Sequence, residues 1–173
     1  MIELNHRGLI IPDYNVPASI EELATVFVWN MPTGQRTELF SRYIDYMKAI
    51  YAVSKDLSFI QWIDGSFTTA YPKPNDIDIV TFINFDVADR LEKELTAFKY
   101  PASLQYGMDA YIVRVYPPEH RSFALYVGDR AYWLDRFSKT ERNRRGIVHR
   151  KGFVELIHSD EERETLKSLR LNS

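Results

Sequence analysis

The sequence predicts an α+β fold, a small mixed β-sheet with helices packed on it. Three observations predict it. Residues 36–54 carry a long apolar stripe at helical spacing. Residues 59–63 and 76–85 are apolar runs of strand type, joined by turn-rich sequence. A helix-spaced segment then separates the second run from a third, residues 109–116, as a crossover helix separates strands of one sheet. A length of 173 residues suits one domain. The expected division is an extended arm (1–18), a helical hairpin (19–54), a central core (55–116) and a basic C-terminal segment (117–173).

Taken in order, residues 8–17, GLIIPDYNVP, read as an extended arm punctuated by turn residues. Ser19-Ile20-Glu21-Glu22 is a capping box, and Ile20, Leu23, Val26 and Phe27 follow at helical spacing. Asn30-Met31-Pro32-Thr33-Gly34 breaks that helix. In the longer helix the stripe is Leu39, Phe40, Tyr43, Ile44, Met47, Ile50 and Tyr51, which reads as core. The short strand at 59–63 ends at Asp64-Gly65-Ser66, and TTAYPKPN leads into the strongest strand, 76–85. Asp86 is expected to cap a helix reaching about Phe98, with Val87, Leu91 and Leu95 facing inward. The strand at 109–116, DAYIVRVY, stops at Pro117-Pro118. Residues 123–127 read as another short strand, 131–137 as helix and 151–158 as extended. Ser159-Asp160-Glu161-Glu162 is a second capping box, opening a polar terminal helix.

Composition narrows the function classes. Hydrophobic residues make up 45 %, and 11 Tyr, 10 Phe and 3 Trp supply enough buried area for a real core. With no cysteine, the chain has no disulfide scaffold, thiolate metal site or cysteine nucleophile. The sequence contains no run of 18 apolar residues and starts MIELNHRG, without a basic-then-apolar leader, so a soluble cytoplasmic protein with no membrane partner is expected. The four histidines, His6, His120, His149 and His158, lack metal-ligand spacing. Ser66 has no His-Asp signature to make it a nucleophile, and no P-loop is present. The net charge of −2 hides an asymmetry: Arg136, Lys139, Arg142, Arg144, Arg145, Arg150 and Lys151 stand against Glu141 alone. Such a block on an acidic body suggests an anionic ligand, or else a solvated loop or helix face.

The chemistry concentrates in residues 63–83. Residues two apart on a strand face the same way, so Asp76 and Asp78 project together while Ile77 and Ile79 point to the other face. Two carboxylates about 7 Å apart along a strand repel strongly where water is scarce. Either one is protonated or a cation lies between them, and Mg2+ (or Mn2+) suits such oxygen ligands together with substrate phosphates. Asp109 opens the next strand and reaches the same pocket if the two strands pair near their starts. Three carboxylates would then hold two metals about 4 Å apart, the arrangement that stabilises attacking and leaving oxygens in phosphoryl transfer. At Gly65-Ser66 the backbone can approach a ligand closely, and turn amides with the hydroxyl can cradle phosphate oxygens. Asp64, beside the glycine, reads as a turn residue or a support for the ligands rather than a ligand itself. Asp86 and Asp89 read as cap and first-turn residues.

An apolar strand, Gly65-Ser66, a nine-residue gap, Asp76-Ile77-Asp78-Ile79 and a third Asp109 together resemble the nucleotidyltransferase superfamily of DNA polymerase beta-like fold. Over most of its length the chain is also similar to a small bacterial family of uncharacterised proteins that share Arg7-Gly8-Leu9, Asp64-Gly65-Ser66-Phe67, Asp76-Ile77-Asp78 and Lys151-Gly152. Ile11-Pro12-Asp13 departs from the Pro-Pro-Gly-like turn expected in the arm. The resemblance implies a minimal nucleotidyltransferase fold. It also implies that Asp76 and Asp78 bind the metals carrying an NTP, Asp109 helps activate the attacking hydroxyl, and Gly65-Ser66 hold the β- and γ-phosphates. Lys151 with one or two of Arg142, Arg144 and Arg145 are expected on the phosphates or the acceptor. The implied reaction transfers a nucleoside monophosphate to an RNA or tRNA, a protein or a small molecule, with a partner protein or second copy helping to bind it and a toxin–antitoxin or phage-defence setting in view. Tyr132 and Trp133 could stack on a base, with buried packing the expected role of Trp133. Two alternatives stay open: a catalytically inactive module that senses nucleotide or binds a partner protein, and a nucleic-acid-binding domain that uses the basic block alone.

Overall fold

The computed structural model describes residues 1–53 and 57–169. Two short strands, β1 (Glu3–Leu4) and β2 (Ile10–Ile11), pair antiparallel in the arm. The main sheet has five strands: β3 (Asn15–Ala18), β4 (Phe59–Asp64), β5 (Ile77–Asn84), β6 (Met108–Val115) and β7 (Phe153–His158). Their spatial order is β3-β7-β4-β5-β6. β4 runs antiparallel to both β5 and β7, while β5–β6 and β3–β7 are parallel pairs. The fold is α+β with a mixed sheet, as the strand and helix patterns predict. The sheet draws strands from the arm and the C-terminal segment as well as from residues 55–116.

Period-two alternation decides what each face of the sheet meets. Ile77, Ile79 and Ile83 of β5 enter the larger core with Ile63, Ala110, Val154 and Leu156. The helix α2 (Gly34–Val53) covers that face with Leu39, Phe40, Tyr43, Met47 and Ile50, all buried. Each such side chain contributes about 1.5–3 kcal/mol of burial. The opposite face presents Trp62, Val80, Phe82, Val113 and Phe153 in a smaller core, closed by Phe137 of α5 (Phe123–Phe137). Asp78 stands on this second face, one strand position before Val80 in the alternation.

Several local expectations change. α1 (Ile20–Ala24) is short, and its Ser19 hydroxyl accepts from the Glu22 amide as the capping box requires. It then widens into a π-helical turn, Thr25–Trp29, closed by Asn30 N–H on Thr25 O at 2.9 Å. Residue 54, expected as the last residue of the long helix, lies outside the described residues, as do 55, 56 and 170–173. The helix expected from Asp86 is broken into α3 (Phe85–Arg90), α4 (Glu92–Leu95) and a 3-10 turn, Thr96–Phe98. Asp86 lies in its first turn, bonding the Val87 amide, rather than at the cap. Asp89 pairs with Arg114. Residues 123–127 are helix, not strand: the FALYV run is continuous with α5, and its side chains are mostly exposed rather than alternating into a sheet. α6 (Asp160–Ser168) starts where the second capping box sits, but Ser159 makes no capping bond and Glu162 accepts instead from the Ile20 amide, tying α6 to α1. Among the described residues no helix is long and apolar enough to cross a membrane.

Candidate functional site

Register builds the site. Asp64 at the end of β4 lies opposite Asp78 on β5, and Asp78 lies opposite Asp109 on β6. Residues directly opposite one another on paired strands share a face, at the strand spacing of about 4.8 Å. Three carboxylates therefore form a row across the sheet, and Asp76, two residues before Asp78, flanks it. Asp76, Asp78, Asp109, Gly65, Ser66 and Lys151 all line one cavity of about 710 Å³.

Three devices hold the row in place. Gly65 has φ +83°, and a Cβ there would collide with the Asp78 carboxylate, so only glycine permits that approach. Lys151 Nζ donates to Asp64 Oδ1 in a buried ion pair with side chains 5 % and 8 % exposed. Arg36 of α2 is fully buried and donates to four backbone carbonyls: Phe27 (3.0 Å), Phe67 (2.7 Å), Thr69 (2.6 Å) and Tyr71 (2.5 Å). It meets no carboxylate there. It anchors the loop that runs from the Gly65-Ser66 turn to Asp76.

The arm completes the frame. Gly8 has φ +71°, its carbonyl accepts from Ala70 N–H at 2.9 Å, and Leu9 bridges Thr69 and lines the cavity. Gly152 N–H donates to Ile10 O at 2.8 Å, where a Cβ would meet the Tyr14 carbonyl at 2.9 Å. The arm thus docks twice, with Gly8 and Leu9 on Ala70 and Thr69 and with Ile10 on Gly152. These contacts tie the arm to the loop that follows Gly65-Ser66 and to the residue beside Lys151.

Electrostatics single out Asp78. Burial pushes its carboxyl up to about 7, and the charges of Asp64, Asp76 and Asp109 push the same way. Burial, then Asp109, raises Asp76. Burial also raises Asp64, with the Lys151 ammonium opposing it. Asp109 Oδ1 is buried with no hydrogen-bond partner, a state that normally demands one. Among the described residues no three Asp, Glu or His side chains converge closely enough to ligate one ion as they stand, so shared ligation requires side-chain rotation.

The basic residues divide differently from the expectation. Lys151 lies in the cavity, but its ammonium is engaged by Asp64. Arg142, Arg144 and Arg145 do not line the acidic cavity. Arg144 and Arg145 line a separate cavity of about 550 Å³ with Arg7, and Arg142 is exposed. Arg136, at the end of α5, supplies the further positive charge at the acidic site, with Lys139 just beyond it, whose ammonium pairs with Asp135. Both belong to the basic block, and only the path of the chain after α5 selects them from it. Trp133 packs on Tyr111 and Phe137, while Tyr132 is exposed.

No curated protein and no solved structure matches this chain. A model described as a family of unknown function (DUF6932) matches residues 2–157, nearly the whole chain, and the protein belongs to that family.

Proposed function

We propose that this protein is a divalent-cation-dependent nucleotidyltransferase, moving a nucleoside monophosphate from an NTP to an acceptor hydroxyl. The observation that carries the reading is the register of Asp78 with Asp109, which sets both beside Asp76 in one cavity together with Gly65 and Ser66. The residues present fit a hard cation such as Mg2+ or Mn2+: the acidic donors are all oxygen, they crowd one another, and Asp109 Oδ1 lacks a partner. Asp76, Asp78 and Asp109 would hold it. When bound, such an ion neutralises charge on the phosphates and on the row.

The chain's own groups then have distinct tasks. Ser66 and the Gly65 turn bind the β- and γ-phosphates through amides and a hydroxyl. Arg136 and Lys139 face the same anion from the other wall. The acceptor oxygen attacks the α-phosphorus as Asp109 takes its proton. The new O–P bond forms, the bond to the bridging oxygen breaks, and pyrophosphate leaves with that electron pair. Asp64, neutralised by Lys151, shapes the wall and keeps its own charge from adding fully to the row. A cytoplasmic setting, where NTPs and magnesium are supplied, belongs to this reading.

The test is incubation with magnesium, each α-labelled NTP and a cell extract. Label should pass to an acceptor with the wild type and fall at least about a hundredfold with Asp76→Asn or Asp109→Asn. No transfer to any macromolecule or small acceptor, with the wild type and Asp76→Asn alike, contradicts it.

A further inference from the structure

The basic block folds into a built feature rather than a loose loop. Residues 139–150 form a hairpin whose root is the Lys139–Arg150 bridge, reinforced by Thr140 N–H on His149 O at 2.8 Å and His149 N–H on Thr140 Oγ1 at 3.0 Å. At the tip, Asn143 Oδ1 accepts from the amides of Arg145 (2.9 Å) and Ile147 (3.0 Å), and Gly146 turns the chain at φ +74°. One strand of the hairpin root, with Lys139, Thr140 and Glu141, lines the acidic cavity. The tip lines the second cavity, of about 550 Å³, which shares no lining residue with the first.

The charges at the tip are uncompensated. Lys139, Arg150 and Lys151 at the root each have a carboxylate: Asp135, Asp13 and Asp64. Arg7, Arg142, Arg144 and Arg145 make no ion pair among the described residues. Arg7 reaches this cavity from the arm, more than a hundred residues away in sequence, to join Arg144 and Arg145. Gathering like charges from two segments around one cavity is unfavourable unless an anion sits among them. The acidic cavity has cationic residues of its own, Arg136 and Lys139, and shares no lining residue with this one. Ile147 and Val148, 46 % and 39 % exposed, add apolar surface beside the arginines.

We infer that the Arg7–Arg142–Arg144–Arg145 tip binds the phosphodiester backbone of a single-stranded nucleic acid, and that this is the acceptor. The second clause rests on the nucleotidyltransferase reading; the first stands without it. Arginine forks match phosphate oxygens, and the apolar tip suits the faces of unpaired bases. A single strand fits because the exposed Ile147 and Val148 beside the arginines can meet unpaired base faces, which a duplex keeps stacked on one another. The acidic body repels the rest of the polyanion, so the strand is confined to the hairpin.

The experiment is fluorescence anisotropy with labelled RNA and DNA single strands of about 20 nucleotides, in EDTA, across a salt series from about 50 to 200 mM. Four arginine contacts predict a log–log slope of about −3, a loss of roughly fiftyfold over that range. The variant R142A/R144A/R145A should lose at least about tenfold in affinity and about two units of slope. Its melting temperature should be unchanged, because those side chains are exposed and unpaired. Asp76→Asn/Asp78→Asn should bind the strand no more weakly than the wild type, since it removes only negative charge. A preference for RNA or for DNA upholds the inference and names the source. No binding at low salt, equal binding by the triple variant, or equally arginine-dependent binding of polyglutamate overturns it. Mg–NTP binding by the triple variant should be preserved. Strand binding without transfer in the wild type would remove the enzyme reading and the acceptor role while the binding site stands.

Discussion

At the scale of single residues, the acidic row is held against its own repulsion. Asp78 has its carboxyl raised from an ordinary 3.8 to about 7, chiefly by burial and then by Asp64, Asp76 and Asp109. A group whose folded-state value is raised stabilises the fold fully below its unfolded value and loses that contribution as pH rises through the folded one. Stability of the metal-free protein should therefore fall between about pH 4 and 7 on this account. Asp78→Asn should remove the part of that slope nearest pH 7, leaving the smaller contributions of Asp64 and Asp76. It should raise the melting temperature by roughly 3–6 °C at pH 8, about 1–2 kcal/mol, and by little at pH 4.5, as thermal melts would show. Gly65→Ala acts oppositely. A left-handed backbone at φ +83° and a Cβ driven into Asp78 should cost about 1–3 kcal/mol and abolish Mg–NTP binding, measured by denaturant titration and calorimetry. The Gly65-Ser66, Asp76 and Asp78 pattern is readable because turn and strand rules are local. The place of Asp64 in the same row is not, because register between strands is a tertiary property.

At the scale of elements, Arg36 makes more bonds to the loop between β4 and β5 than Thr33 or Gln35, which hold Pro72 and Pro74 beside it. Arg36 satisfies carbonyls of Phe27, Phe67, Thr69 and Tyr71, so Arg36→Ala leaves four of them without a donor. The expected loss exceeds about 3 kcal/mol, with faster amide exchange concentrated in residues 66–75. Uniform exchange across the chain would show that Arg36 does not anchor that loop. The Asp64–Lys151 pair belongs to the joint between β4 and the hairpin root. Lys151→Met should cost about 3–5 kcal/mol by leaving a buried carboxylate alone, whereas Lys151→Met with Asp64→Leu should recover most of it. Additive losses in that double-mutant cycle contradict a coupled pair. The strands of β5 and β6 and the helix α2 follow plainly from their periodicity. α5 does not: FALYV has strand composition, but it is continuous with a helical segment and has no strand to pair with. The break after Arg90 is equally hidden, since Leu91 keeps helical spacing while its backbone leaves the helix at φ −104° and ψ 19°.

At the scale of the whole molecule, an early segment (8–18) and a late one (150–158) converge on the middle of the chain. β3 and β7 pair in parallel at one edge of the sheet, and the arm passes over Gly152 to reach the Thr69 loop. This assembly places an acidic cavity and an arginine-tipped hairpin side by side on a chain of net charge −2. The charge asymmetry is legible in composition. Which cations face the carboxylates and which face outward is decided by the turn at Asn143 and the end of α5, and no local pattern encodes it. The central claim is that Asp76, Asp78 and Asp109 share a divalent cation with a triphosphate. Its most direct test is Mn2+ binding followed by electron paramagnetic resonance, with and without a non-hydrolysable NTP. The account predicts that the wild type binds Mn2+ and that the nucleotide tightens this by at least about tenfold, while Asp76→Asn/Asp78→Asn loses both effects. Equal Mn2+ affinity in the wild type and the variant, or nucleotide binding indifferent to the metal, would contradict it.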